Sequence, residues 1–97
     1  MLPERPKPPV ESAAYFVVAE ALANAGKHAH AARVDVRIIR RDGTLSVEVH
    51  DDGVGGADGS GGGLGGLRSR VEALDGTLSI VSPRGGPTTI RAELPCE

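Results

Sequence analysis

Ser46-Val47-Glu48-Val49-His50-Asp51-Asp52-Gly53-Val54-Gly55 is the stretch on which the fold turns. Its first half alternates: Leu45, Val47 and Val49 point to one side, Ser46, Glu48 and His50 to the other. That is the period of a strand with one buried face. The alternation then breaks at two carboxylates followed by Gly-Val-Gly. A strand that ends this way holds a carboxylate at the rim of a sheet. The glycines beyond it let backbone close on a flat ligand where a Cβ would collide.

Reading toward the N-terminus, Arg33 to Arg41 alternates as well, with Val34, Val36 and Ile38 opposed to Asp35 and Arg37. Arg41-Asp42-Gly43-Thr44 joins the two strands with an Asp-Gly hairpin signal. Before them, Val10 to about Ala31 is Ala-rich, has no Pro and a single Gly26, and reads as one long helix. At 100° per residue, Tyr15, Val18, Leu22 and Ala25 line one side. Glu20, Asn24 and Lys27 form a narrow polar stripe on the other, flanked by Phe16 and Val17. Residues 1–9 hold four of the seven prolines and read as an extended linker ahead of a domain spanning 10–95.

Reading toward the C-terminus, nine of the fourteen glycines fall between Gly53 and Gly66. This tract lies between a strand and a helix, so it is read as a loop within the domain. Helical spacing returns from about Gly65 to Asp75, with Leu67, Val71 and Leu74 on one side and Gly76 placed to end the helix. Two strands, Thr77–Ser82 and Thr88–Leu94, flank the turn Pro83-Arg84-Gly85-Gly86-Pro87. The order is helix, strand, strand, glycine loop, helix, strand, strand. It predicts a two-layer α/β sandwich, with helices on one face of a mixed sheet.

The 97 residues make one small domain, and Tyr15 and Phe16 are the only aromatics, too few for a stacking surface on single-stranded nucleic acid. Eleven basic against thirteen acidic residues give a net charge of −2. No basic footprint for DNA, RNA or an anionic membrane follows from that balance. Cys96 is the only cysteine, so no intrachain disulfide is possible. No apolar run approaches the ~18 residues of a membrane span, which makes the expected location cytoplasmic.

Three constellations bear on chemistry. Taken alone, the Glu20-Asn24-Lys27 stripe is the solvent face of an amphipathic helix; taken as a site, it offers a carboxylate, an amide oxygen and a cation together. An amide oxygen suits Mg²⁺, which keeps waters and phosphates as its other ligands. Asp51 at a strand end is a common turn residue, or an acceptor for the exocyclic amine of adenine; guanine carries a carbonyl at the matching place and would be repelled. The glycine tract is a flexible loop, or an anion cradle at a helix N-terminus. It is neither a P-loop nor a dinucleotide fingerprint, since no Gly-Lys-Ser/Thr follows and the strand before it closes a hairpin. His28 and His30 stand two apart on the helix, the wrong spacing for a metal pair, and His50 points outward. Arg68 and Arg70 are read as exposed charges, with help to phosphates as the other reading.

Together these parts resemble the ATP-binding catalytic domain of bacterial sensor histidine kinases, in the superfamily shared with gyrase, MutL and heat-shock chaperone ATPases. Glu20-Ala21-Leu22-Ala23-Asn24-Ala25-Gly26-Lys27-His28-Ala29 is similar to the family's N box, and Asp51-Asp52-Gly53-Val54-Gly55 to its first glycine box. Gly61-Gly62-Gly63-Leu64-Gly65-Gly66-Leu67 resembles its second. The lead-in Leu2-Pro3-Glu4-Arg5, the Lys27-His28-Ala29 ending and the run Gly66-Leu67-Arg68-Ser69-Arg70-Val71 resemble the subfamily that partners LuxR-type response regulators. The resemblance implies the Bergerat-type ATPase fold and a set of roles. Asn24 would coordinate Mg²⁺ and Asp51 would bind adenine. Lys27 and His28 would approach the phosphates, and Gly53, Gly55, Gly63, Leu64 and Gly65 would shape pocket and lid. Glu20 matches the residue that activates water in the hydrolysing cousins, and Thr88 a threonine that contacts nucleotide. The implied partners are a dimerisation domain bearing the acceptor histidine and, through the parent kinase, a response regulator. Two alternatives share the fold: an anti-sigma-factor-type serine kinase and a non-catalytic interaction domain.

Overall fold

The computed structural model describes residues 8–27, 31–53 and 62–96. Helix α1 (Pro8–Lys27) leads into a hairpin of strands β1 (Val34–Arg41) and β2 (Thr44–Asp51). Helix α2 (Gly62–Glu72) follows, then strands β3 (Thr77–Val81) and β4 (Thr88–Pro95). The strands form one sheet in the order β1-β2-β4-β3.

Each neighbouring pair is antiparallel, so the expected mixed sheet is corrected to an antiparallel one. The connection through α2 does make β2 and β3 run the same way. The hairpin that follows then folds β4 back between them, so the two parallel strands never touch. The two-layer class stands. Buried faces of β2 (Leu45, Val47, Val49) and β4 (Ile90, Ala92, Leu94) pack against Val10, Ala13, Ala14, Val17 and Ala21 of α1 and Leu64, Leu67 and Val71 of α2. Burying a side chain such as Val47, Ile90 or Leu94 from water contributes about 1.5–3 kcal/mol each.

Helix α1 departs from its expected orientation. Tyr15 and Leu22 are exposed, at 68% and 45%, and the core side is the small-residue face from Val10 through Ala25. Small side chains let the helix settle close on the sheet, and that face carries Asn24 inward with it. The helix also starts earlier than expected, at Pro8, because proline's missing N–H costs nothing in a first turn. Its described residues run to Lys27, and the N–H of Ala31 returns to the carbonyl of Ala25.

Helix α2 begins at Gly62, so the C-terminal part of the glycine tract is helical and not loop. Its end is not closed as expected either. The left-handed residue is Asp75, at φ 62°. Gly76 is required for space: a Cβ there would sit 2.7 Å from the carbonyl oxygen of Glu93 and 2.9 Å from side-chain carbons of Leu94 and Val71. The hairpin turn between β1 and β2 has positive φ at both Asp42 and Gly43, 52° and 75°, the type I′ geometry expected of Asp-Gly.

Candidate functional site

Among the described residues, three polar or charged side chains are buried: Asn24, Asp51 and Thr88. They converge on one end of the sheet. Asp51 closes β2 and Thr88 opens β4, and the two are register partners. Each continues the inward face of its strand, Asp51 after Leu45, Val47 and Val49, and Thr88 ahead of Ile90, Ala92 and Leu94. Asn24 enters from the core face of α1 near that helix's C-terminal end.

The neighbouring carboxylate aligns these elements. Asp52 is exposed, and its Oδ1 accepts the N–H groups of Ala32 at 2.8 Å and Arg33 at 2.9 Å, while its own N–H donates to the Arg33 carbonyl at 3.2 Å. The segment from Ala31 to Arg33 is thereby tied to the end of β2, and the Ala31 N–H bond to the Ala25 carbonyl ties that segment in turn to α1. The Arg33 N–H, followed by that of Ala32, holds the Asp52 carboxyl below its ordinary value of 3.8. The two adjacent aspartates thus have opposite duties, one facing the core and one fastening the outside.

Inside, Asp51 Oδ1 accepts the N–H of buried Gly53 at 2.8 Å, an Asx-type turn that folds the chain over the strand end. A carboxylate has about four lone-pair sites, so one backbone bond leaves it able to accept from a ligand. Thr88 is held by its hydroxyl, 2.6 Å from that of Ser82. The arrangement presents a fixed anionic acceptor, a hydroxyl and an amide around one sheet end. Such a set can accept a hydrogen bond from a ligand through the carboxylate.

Other expected residues are placed less uniformly. Glu20 is half-buried one turn before Asn24, and Lys27 is the last residue of α1. Gly63 lies in the first turn of α2 and Gly65 is half-buried further along it. Leu64 is a core residue, 6% exposed. His28 and Gly55 lie outside the described residues, as does the tract before Gly62.

Several working residues escape a reading of the sequence. Arg68, expected to be a free surface charge, donates to the carbonyl of Leu78 at 2.8 Å and pins α2 to β3. Arg70 lies 4.0 Å over the ring of Phe16 and joins α2 to α1 through a cation–π contact. Asp52 acts through backbone partners some twenty residues away in sequence, which no local pattern signals, and Ser82 through the Thr88 hydroxyl across the β3–β4 turn. His50, read as outward, is outward and meets the Thr89 hydroxyl at 2.9 Å.

Comparison with known proteins gives one answer at three levels. The family described as "Histidine kinase-, DNA gyrase B-, and HSP90-like ATPase" matches residues 10–97. The oxygen sensor histidine kinase NreB of Staphylococcus carnosus is 38% identical over 91 residues, covering 89% of this chain and 26% of NreB. The histidine kinase domain of the blue-light activated kinase EL346 of Erythrobacter litoralis superposes with a TM-score of 0.76 at 27% identity. That likeness covers 91% of this chain and 45% of the other. The ATP binding domain of PrrB from Mycobacterium tuberculosis gives 0.71 at 26%, over 89% of this chain and 68% of that one. The chain therefore spans about a quarter of NreB and under half of the EL346 chain. With its sheet, its buried acidic strand end and these relatives in agreement, the chain belongs to the histidine kinase-, DNA gyrase B- and HSP90-like ATPase family, as an ATP-binding domain of the histidine-kinase type.

Proposed function

We propose that this domain binds Mg-ATP at the sheet end framed by Asn24, Asp51 and Thr88, and presents the γ-phosphate to a histidine on a separate dimerisation domain. The observation that carries the reading is the burial of these three side chains at one end of an otherwise apolar core. Burying an ionised carboxylate is costly unless hydrogen bonds compensate, so its retention beside a tight glycine turn fits recognition of a donor. Asp51 accepts from the adenine amine, and the turn it makes with Gly53 lays backbone along the base. Thr88, steadied by Ser82, adds a hydroxyl at the floor.

The donor set fits Mg²⁺ as well. Asn24 supplies one neutral oxygen, which suits an ion that keeps most of its shell as water and phosphate. When bound, the ion supplies charge neutralisation for the phosphates. Lys27, in the last described turn of α1, and His28 would approach the phosphates. Gly53, Gly55, Gly63 and Gly65 permit close backbone approach, and the start of α2 turns free N–H groups toward anions. Glu20 stands one turn before Asn24, where it orients water or a ligand of the ion. Phosphoryl transfer rests mainly on positioning and charge stabilisation, which such a site provides without a nucleophile of its own.

In the finer reading, the domain serves a kinase that partners a LuxR-type response regulator, with the chain ahead of α1 leading in from the dimerisation domain. The test is calorimetric titration of the chain with ATP, GTP and adenosine, with and without Mg²⁺. ATP should bind more tightly with the ion, GTP poorly, and adenosine independently of it. No heat with any adenine nucleotide, in a chain shown to be folded, would refute the reading. Incubated alone with labelled ATP, the chain should stay unlabelled; acid-labile label on it would overturn the assignment of the acceptor to another domain.

A further inference from the structure

We infer that Ser82 is a positioning residue for base recognition: its hydroxyl sets the direction of the Thr88 hydroxyl, so that Thr88 donates to the ring nitrogen beside the adenine amine. The inference deepens the nucleotide-binding reading and rests on it.

The first observation is a polar row across the end of the sheet. β2 and β4 set Asp51 opposite Thr88, and the ladder between β3 and β4 ends with Val81 opposite Thr89. Ser82 follows Val81 and so comes opposite Thr88 from the other side, its Oγ 2.6 Å from Thr88 Oγ1. By the alternation of a strand, Ser82 continues the side of Leu78 and Ile80, which is the side packed on the helices. One step further into the sheet, Val49, Ile90 and Ile80 face each other across the same three strands and are apolar. The row Asp51-Thr88-Ser82 is therefore where the core face of the sheet turns from apolar to polar.

The second observation is how the row is bonded. Asp51 accepts the Gly53 N–H, and the buried Thr88 hydroxyl meets that of Ser82. A hydroxyl has one proton and two lone-pair sites, so its bond to Ser82 leaves Thr88 able to make another. The direction of the existing bond decides which kind. With Thr88 as donor to Ser82, the hydroxyl offers a ligand lone pairs only, beside a carboxylate that also offers lone pairs only. With Ser82 as donor, Thr88 keeps its proton, and the row presents an acceptor next to a donor.

The ligand selects between the two directions. Adenine carries a donor, its exocyclic amine, next to an acceptor, the ring nitrogen N1. Guanine carries the reverse, a carbonyl next to an N–H. An acceptor at Asp51 with a donor at Thr88 matches adenine at both atoms and opposes guanine at both. Two acceptors side by side would meet the amine alone and leave the ring nitrogen without a donor, a costly loss for a buried polar atom. Ser82 also guards against a competitor. Thr88 stands between Ser82 and the Asp51 carboxylate, and the bond to Ser82 holds its hydroxyl on the β3 side. Without Ser82 the nearest strong acceptor for the Thr88 proton is that carboxylate, and a bond between the two would take the donor away from the base. Ser82 touches no part of the base and still sets the second of its two contacts.

The experiment is calorimetric titration of the whole chain in excess Mg²⁺ with three nucleotides: ATP, 1-deaza-ATP, which has C–H in place of the ring nitrogen, and purine riboside triphosphate, which lacks the amine. Ser82→Ala should weaken ATP binding about three- to tenfold, the range for one hydrogen bond. It should weaken purine riboside triphosphate by the same factor and leave 1-deaza-ATP unchanged, since only the ring nitrogen is read through Thr88. Ser82→Thr, which keeps the hydroxyl, should restore ATP binding. The double variant Ser82→Ala with Thr88→Val removes both hydroxyls and should bind ATP no worse than Thr88→Val alone, a comparison that holds even where Ser82→Ala by itself folds poorly. Equal losses on all three nucleotides, a loss that follows the amine, no loss at all, or additive losses in the double variant would each overturn the inference. With any of those patterns, a wild type that binds ATP keeps its nucleotide site and loses only the role of Ser82. A folded wild type that binds no adenine nucleotide loses both.

Discussion

Asp51→Asn separates recognition from folding more cleanly than any other change in this domain. The wild-type carboxylate is 2% exposed and accepts the Gly53 N–H at 2.8 Å through Oδ1. Asparagine keeps an oxygen for that bond, so the turn and the strand end should survive, and melting should shift little. What changes is the rest of the group: an anionic acceptor becomes a neutral amide that offers N–H donors. Losing a charge-assisted hydrogen bond to the adenine amine costs about 1.5–3 kcal/mol, a ten- to hundredfold loss of ATP affinity. An amide donor facing the base suits the guanine carbonyl, so the preference for ATP over GTP should shrink as well. Calorimetry with both nucleotides in excess Mg²⁺, beside a melting curve, reads every term. Unchanged ATP affinity in a folded variant would show that Asp51 is a turn residue only, and that the buried charge serves structure.

Asn24→Ala should remove the Mg²⁺ dependence of ATP affinity and leave adenosine binding nearly unchanged; an unaltered response to the ion in titration would deny Asn24 its role. Gly76→Ala should destabilise the domain by about 1–3 kcal/mol in urea unfolding, because its Cβ would meet backbone oxygen at 2.7 Å. A neutral result would mean that β4 and α2 part easily. Asp52 has its pKa lowered by the Arg33 and Ala32 N–H groups, so its contribution is present above its ordinary 3.8 and is lost as pH falls through the lower folded value. Asp52→Asn should therefore give a shallower loss of stability in that acid window than wild type, and parallel pH profiles would contradict the clamp.

Much of this was legible before any coordinates. The hairpin could be read because Asp-Gly demands positive φ at two successive positions, a local signal with one good solution. The burial of Asp51 could be read because the alternation that buries Leu45, Val47 and Val49 carries on to it. The face of α1 was not legible. Tyr15 and Leu22 carry more hydrophobicity than Ala13, Ala14 and Ala21, yet close packing on a sheet selected the smaller set. The antiparallel sheet was hidden for a topological reason, since only the spatial insertion of β4 separates the two strands that run alike. The clamp by Asp52 spans some twenty residues of chain and left no periodic trace.

The two ends of α2 are unequally committed, and that asymmetry leaves the start of the helix adjustable from a distance. Its second half is bolted down by Arg68 on Leu78, Arg70 on Phe16 and the buried Val71. Its first five residues are Gly-Gly-Leu-Gly-Gly, each glycine costing about 0.8–1 kcal/mol of helix propensity against alanine. Gly66 is exposed, and a Cβ there would meet nothing within 4 Å. An alanine at that position would thus favour the helix without adding or deleting a single contact. Selection, or an engineer, can retune how firmly this end of the helix is formed by about two- to fivefold through such a silent position. Sequence drift in this helix is in that sense a thermodynamic dial, turned without touching the binding chemistry.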